Sequence, residues 1–246
     1  MAKRGWSEAF QIQVAKEQRI AVWKDTERHI SRFSPRPLWR VVTAVPCRAP
    51  CRISVVNADC IDHAVYLKER HGHVGIQNMA SARYPGGGIY GGARAQEEEI
   101  CRRSDLMNSL PRAESEYPIH DKVLVHEGIT FFKKGEADGY SLYDNQIHLT
   151  VFTSPAVKHS YPVDHKAVMR DRIDRLTHAV ECSGVDVMVF GAWGCGAFGL
   201  CPHMIAQLFK ERLACTILKE AHFAILNDLN GHQNKFEIFQ QVLLET

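Results

Sequence analysis

A chain of 246 residues, 45% hydrophobic and 24% charged, is long enough for one large domain with a full core, or at most two small ones. Its formal net charge of +2 is too small to argue for nucleic-acid binding. No stretch approaches the roughly 18 apolar residues of a membrane span, and the N-terminus lacks the apolar core of a signal peptide, so an intracellular, cytoplasmic protein is expected, with the nucleus the other compartment open to it.

In chain order, residues 7–32 read as a helix with Ser7 as N-cap, apolar at Phe10, Val14, Ile20, Val22 and Trp23, and broken by Phe33-Ser34-Pro35-Arg36-Pro37. Arg52–Val56 reads as a strand and Cys60–Leu67 as a helix, followed by a buried strand over Val74–Met79. A helix is expected over Gln96–Leu110, with its acids near the N-terminus. Lys122–His126, Ile129–Phe132 and Gln146–Thr153 are β-rich segments. Residues 165–182 read as a helix whose alternating Arg and Asp form a solvated outer face. A strand over Val185–Phe190, a helix over Pro202–Leu213, a closing strand over Phe223–Asn227 and a helix over Lys235–Leu244 complete the chain.

Strands alternating with helices imply a three-layer α/β/α domain around a mixed, largely parallel sheet. Ligands of such sheets bind beyond the carboxyl ends of the strands. Residues 1–50 are expected to form an N-terminal helical extension packed on a catalytic domain of residues 51–246. Eight scattered cysteines in a chain this large read as reduced thiols. Cys47 and Cys51 have three residues between them and no second Cys or His pair at zinc spacing, so no metal and no cofactor is expected.

The most informative segment runs from Tyr84 to Glu99. Five glycines stand in the seven positions Gly86–Gly92, and Gln96 and the carboxylates Glu97, Glu98 and Glu99 follow. Bare backbone allows close approach or positive φ. Beside acids it suits a sugar-phosphate ligand cleaved at a glycosidic bond, with amides near phosphate or ribose and a carboxyl as proton donor. An acid-rich first helical turn would also favour the macrodipole; the glycines and Gln96 tip the balance to a site. A second glycine block, Phe190–Gly199, also follows a strand and leads to a helix near Pro202, and its backbone amides would suit a pyrophosphate. Both blocks should therefore lie on one sheet edge.

Gly86-Gly87-Gly88, seven residues, then Gln96-Glu97-Glu98 resembles the signature of poly(ADP-ribose) glycohydrolases. The surroundings from Gln77 to Ser104, and Gly191-Ala192-Trp193-Gly194-Cys195-Gly196-Ala197-Phe198-Gly199 as the later phosphate-binding loop, resemble the compact microbial-type branch. The likeness runs from about Ile53 to Asn227 and implies a macrodomain-like fold. By this resemblance Glu98 is the catalytic acid/base and Glu97 its partner on the ribose hydroxyls, while Glu99 points away. Gln96 and the glycines Gly86, Gly87 and Gly88 fall within the substrate-binding motif. Asn78 is implied at the ribose, Asp59 on the adenine side and Phe198 against the terminal ribose.

Each of these residues has a plainer reading: Asp59 and Asn78 as turn or cap residues, Phe198 as core, and Arg102 and Arg103 as ties to neighbouring acids rather than phosphate contacts. Cys195 has no His in a companion motif and reads as a small residue packed under its loop. The chemistry needs a carboxyl of raised pKa that protonates the leaving ribose oxygen and then activates water. The expected activity is hydrolysis of O-glycosidic ribose–ribose bonds, with poly(ADP-ribose) or an ADP-ribosylated macromolecule as substrate and ADP-ribose as product. A monomer without membrane association is expected, and the compact branch implies cleavage at polymer ends. The alternatives are a non-catalytic ADP-ribose-binding macrodomain, or a hydrolase releasing ADP-ribose from a nucleobase or protein side chain. Intact Gln96-Glu97-Glu98 favours an enzyme, since a binding module has no use for a proton donor.

Overall fold

The computed structural model describes residues 8–31, 51–110, 116–227 and 234–245. Ser7, the Phe33–Pro37 break and Cys47 lie outside these residues, as do the side chains of Phe10 and Val14. A helix α1 (Glu8–Ile30) precedes β1 (Arg52–Val56), α2 (Cys60–Lys68), β2 (Val74–Met79) and α3 (Gln96–Arg103). Then come β3 (Leu124–Lys133), β4 (Leu142–Ser154), α4 (His165–Cys182), β5 (Val187–Phe190), α5 (Pro202–Leu213), β6 (Glu220–Ala224) and α6 (Lys235–Leu244). The strands form one sheet in the order β1-β6-β5-β2-β4-β3, parallel except for the antiparallel β3–β4 pair.

Side chains alternate across a strand, so each central strand feeds two cores. In β5, Met188 and Phe190 join Phe209, Phe223, Phe239 and Trp193 on the face covered by α4, α5 and α6. Val187 and Val189 point the other way, to Ile61, Ile76, Ile100, Phe131 and Trp23 under α1, α2 and α3. This sandwich is the expected three-layer α/β/α architecture.

Several boundaries differ from expectation: β4 begins at Leu142 rather than Gln146 and β5 at Val187 rather than Val185. The helix expected to reach Leu110 ends at Arg103. Ser104 turns extended and bridges Phe131, while the Asp105 carboxylate accepts from Thr130 N at 2.7 Å, so strand β3 captures the chain. The two β-rich segments at 122–132 are one strand, β3, with a register shift between His126 and Ile129 and Gly128 at φ 66°. The closing strand spans Glu220–Ala224 rather than Phe223–Asn227. Its partner β1 stops at Val56, so after Ile225 N reaches Val56 O the apolar run continues without a ladder, and Leu226 is exposed.

Helix α1 braces the outer side of the glycine segment. Trp23 is buried and meets Tyr90 edge-on at 5.6 Å. Arg19 Nε donates to Gly92 O at 2.9 Å and Thr26 Oγ1 to Arg102 O at 2.6 Å. A Cβ at Gly92 would come within 2.8 Å of Lys16 O, so this glycine serves helix packing rather than a ligand.

Candidate active site

β5, β2 and β4 are parallel neighbours, so the segments leaving their carboxyl ends lie side by side. After Met79 the chain enters a turn closed by Gly87 N→Tyr84 O (3.0 Å) and Ile89 N→Gly86 O (3.2 Å). Gly86 and Gly87 have φ of 72° and 59°, left-handed conformations that favour glycine. The turn leads to α3, whose first residues carry the acids.

Successive helical residues are about 100° apart, so the three glutamates diverge. Glu97 turns inward, and its Oε2 accepts from Ser81 N at 2.6 Å. Glu98 reaches back over the turn: Oε1 accepts from Gly88 N at 2.7 Å and Oε2 from Ala95 N at 3.1 Å, the second being half of a capping box. Glu99 points away to Arg102 (2.7 Å) and the Tyr140 hydroxyl (2.9 Å). Gly87 lies against the first two, since a Cβ there would be 2.5 Å from Glu98 Oε1 and 3.0 Å from Glu97 Oε2. The glycine is bare for the carboxylates before it is bare for any ligand.

Burial pushes the Glu97 carboxyl up to about 8 against the pull of the Ser81 amide, and the charge of Glu98 adds to the rise. Burial thus gives Glu97 the raised carboxyl of the motif. Above the unfolded value of 4.5, the folded state holds a proton that the unfolded chain has released. Stability should accordingly fall as pH rises from about 4.5 to about 8. Glu97→Gln should flatten that slope and make the protein more stable above pH 8 by a few kcal/mol, an order-of-magnitude value from linkage. Urea denaturation at pH 5, 7 and 9 checks it; parallel slopes for the two proteins would mean that Glu97 does not titrate in this window.

Other expected contacts are already engaged within the protein. Gln96 Oε1 accepts from Met79 N at 2.9 Å and its Nε2 donates to Gln77 O, so its amide pins α3 to β2. Asp59 is the N-cap of α2, accepting from Ile61 N and Asp62 N, and also pairs with Arg103 at 3.0 Å, a structural role in α2 and α3. Arg102 and Arg103 are buried: Arg102 pairs with Glu99 one turn back on α3 and donates to Ala93 O, while Arg103 ties α3 to Lys133 O and Asp59. Gly86 and Gly88 are packing glycines, their would-be Cβ atoms meeting Met107 Sδ at 2.6 Å and Ala93 Cβ at 2.8 Å. Asn78 is fully buried and donates to Thr153 Oγ1 at 3.1 Å, beside Glu97.

The second block begins at the end of β5. A Cβ at Gly191 would come within 2.7 Å of Met79 Cε, which fixes how closely β5 and β2 release their loops. Gly194 (φ 78°) packs on Leu200 and Ala156, and Gly199 (φ 73°) closes the turn onto Gly196 O at 2.9 Å. The exposed stretch between them is Gly196, Ala197 and half-buried Phe198, whose amides have no partner among the described residues. A Cβ at Gly196 would meet nothing within 4 Å. Cys195 is buried beneath the loop with its thiol pushed up to about 12 by burial, an inert packing residue as expected. Lys158 Nζ lies 5.6 Å from the Phe198 ring centroid, and His159 N donates to Phe198 O at 2.8 Å. Gly196→Val should therefore leave the unfolding midpoint close to that of the parent and weaken ADP-ribose binding roughly tenfold or more, because a β-branched side chain would shield the amides. Calorimetry decides it; unaltered affinity would make the loop a simple connection.

Among the described residues, no group of His, Cys, Asp and Glu is arranged to hold a metal, and no helix is long and apolar enough to cross a membrane. The residues that sequence reasoning passed over are Ser81, which holds Glu97, Thr153, which holds Asn78, and the α1 residues Arg19 and Trp23; contacts made by backbone amides or across distant segments leave no local pattern.

Comparison with known proteins agrees with this geometry. A family model, the microbial-type PARG catalytic domain, matches residues 8–131. The poly(ADP-ribose) glycohydrolase (PARG) of Thermomonospora curvata superposes with a TM-score of 0.76 at 25% identity, covering 92% of this chain and 99% of that one, and its complex with the inhibitor ADP-HPD superposes equally well. PARG of Deinococcus radiodurans in complex with ADP-ribose superposes with a TM-score of 0.70 at 25% identity, covering 93% and 92%. No curated protein sequence matches the chain. With the family model covering half of the sequence and both glycine blocks on one sheet edge, the chain belongs to the microbial-type poly(ADP-ribose) glycohydrolase catalytic-domain family.

Proposed function

We infer that this protein hydrolyses the O-glycosidic ribose–ribose bonds of poly(ADP-ribose) and releases ADP-ribose. The observation that carries the inference is the pair Glu97 and Glu98, set on a bare glycine turn at the carboxyl edge of the sheet, next to a second loop with three amides unpartnered among the described residues. The relatives captured with ADP-ribose and with ADP-HPD support the same ligand class here. Residues 51–246 carry the chemistry and the N-terminal segment braces it.

The second loop would hold the diphosphate on the amides of Gly196, Ala197 and Phe198, with the Phe198 ring against the terminal ribose. Glu98 borders the exposed Gly88, which makes it the carboxyl to face the leaving oxygen. As general acid it gives its proton to that oxygen while the glycosidic C–O bond breaks, leaving an oxocarbenium-like ribose. The resulting carboxylate then takes a proton from water as the water oxygen bonds to the anomeric carbon, which restores the acid. Glu97, with Oε2 turned to the glycine turn, would accept from a ribose hydroxyl and hold the sugar in register.

Incubation of the purified protein with poly(ADP-ribose) in excess EDTA should yield free ADP-ribose, read by chromatography. Tight ADP-ribose binding with no release from polymer would instead identify a non-catalytic binding module. Release from an ADP-ribosylated nucleobase or protein side chain alone would move the cut to a different bond.

A further inference from the structure

Both amides that hold the Glu98 carboxylate belong to one short stretch, Gly88 to Ala95. Gly91, Arg94 and Ala95 are exposed, so by itself this stretch is a surface loop, and surface loops move. Its outer side is gripped at two consecutive carbonyls by buried arginines from distant parts of the chain. Arg19 of α1 donates from Nε to Gly92 O at 2.9 Å, and Arg102 of α3 from Nη2 to Ala93 O at 2.9 Å. Ala93 N donates in turn to Gly88 O at 3.2 Å, which closes the gripped end onto the residue whose amide meets Glu98 Oε1.

Each arginine is itself held by the connection between β3 and β4. Glu136 lies 4.0 Å from Arg19 Nη1 and 3.3 Å from Arg94 Nη2. The Tyr140 hydroxyl donates to Glu99 Oε1 at 2.9 Å, and the same oxygen accepts from Arg102 Nε at 3.0 Å and Nη2 at 2.7 Å. Among the described residues, Tyr140 alone has a positive φ without being glycine, at 55°. A bulky residue in that region is strained, and strain of this kind persists where the surroundings impose it, above all at functional positions. Here the strained residue carries the hydroxyl that Glu99 accepts.

The helices themselves are fastened elsewhere. Gln96 pins α3 to β2, Arg103 ties it to Lys133 O, and α1 is anchored by the Lys133–Asp25 pair at 2.7 Å and by buried Trp23. The contacts to Gly92 O and Ala93 O land instead on the stretch that supplies Glu98 with its amides. We propose that Arg19 and Arg102 are positioning residues of the reaction, which grip Gly92 O and Ala93 O and so fix the two amides that aim the Glu98 carboxyl. The proposal rests on the assignment of Glu98 as general acid made above. General acid catalysis falls steeply when the acid is displaced, so a loosened grip should be felt in turnover before it is felt in binding. Helix α1 thereby belongs to the working unit, and Glu99, which points away from the turn, acts by holding Arg102.

The test is Arg19→Met, which keeps the aliphatic packing and removes the donors. The kcat of ADP-ribose release per folded molecule should fall about tenfold, with ADP-ribose affinity within about threefold of the parent. Arg19→Lys restores a donor for Gly92 O and should recover part of that loss. Amide hydrogen exchange at Gly88 and Ala95 should quicken about tenfold in Arg19→Met, while the amides of β5 keep their parent rates. A merely structural role would lower the unfolding midpoint and leave turnover per folded molecule and both exchange rates at the parent's values, and that result overturns the proposal. Should Arg19→Met fold poorly, Tyr140→Phe removes the hydroxyl from Glu99 and keeps the ring. It should give the same pattern at severalfold size, and parent-like turnover and exchange are again fatal. The exchange measurement needs no turnover, so quickened amides in a protein whose parent releases no ADP-ribose would sink the assigned activity while keeping the clamp.

Discussion

Glu98→Gln should abolish ADP-ribose release while leaving ADP-ribose affinity within about threefold of the parent, the loss in kcat being on the order of a thousandfold. An amide keeps the shape of the carboxylate and one good acceptor. Its oxygen can still take the Gly88 amide now found 2.7 Å from Oε1, while its NH2 then faces Ala95 N and gives up that capping contact. The cost of that exchange is about 1 kcal/mol of stability, far less than the loss of turnover represents. Glu98→Ala is the poorer test, because it strips both amides at once and confounds chemistry with the start of α3. Glu97→Gln is the informative companion: as a neutral side chain of the same shape away from the exposed Gly88, it should retain far more turnover than Glu98→Gln. The opposite order, with Glu97→Gln inactive and Glu98→Gln active, would assign the proton donor to Glu97, the residue whose burial raises its pKa.

The elements legible from sequence are those whose signals are local. The 3.6-residue pattern of α4 and α6, the apolar run of β2, and the glycines followed at once by Gln96-Glu97-Glu98 need no partner to be read. The short apolar run of β5 foretold a strand buried on both faces. What could not be read depends on contacts between distant segments. Nothing in Cys101-Arg102-Arg103-Ser104 announces that α3 stops, because the stop is made by Phe131 and Thr130, more than twenty residues away. Gly128 makes one bulged strand look like two.

The same limit applies to the site. Spacing identified the acids but not which of them has its carboxyl pushed up by burial, since that depends on how Glu97 is set against Ser81 and Asn78 at the end of β2. Gln96 and Asp59 have the residue types of ligand contacts, yet the first clamps β2 and the second caps α2.

The glycines show how burial divides one sequence signal into two physical roles. From sequence, Gly87 and Gly196 are equivalent: bare positions where valine should weaken binding more than it destabilises the fold. The structure separates them. Gly196 opens on space, whereas a Cβ at Gly87 would stand 2.5 Å from Glu98 Oε1 and 3.0 Å from Glu97 Oε2, at a φ of 59° that a β-branched residue resists. Gly87→Val must therefore displace both carboxylates and strain the turn that supplies the Gly88 amide to Glu98. The expected result is a stability loss of about 2–4 kcal/mol, from strain and overpacking together. Turnover per folded molecule should drop by roughly a hundredfold or more, because a small misplacement of a general acid is costly. Gly87→Ala should fall between, with the same φ penalty and a smaller clash. Urea denaturation gives the stability, and ADP-ribose release normalised to folded protein gives the turnover. If Gly87→Val loses stability but each folded molecule turns over normally, the glutamates at that turn do not perform the chemistry, and the proton donor must be sought elsewhere on the sheet edge.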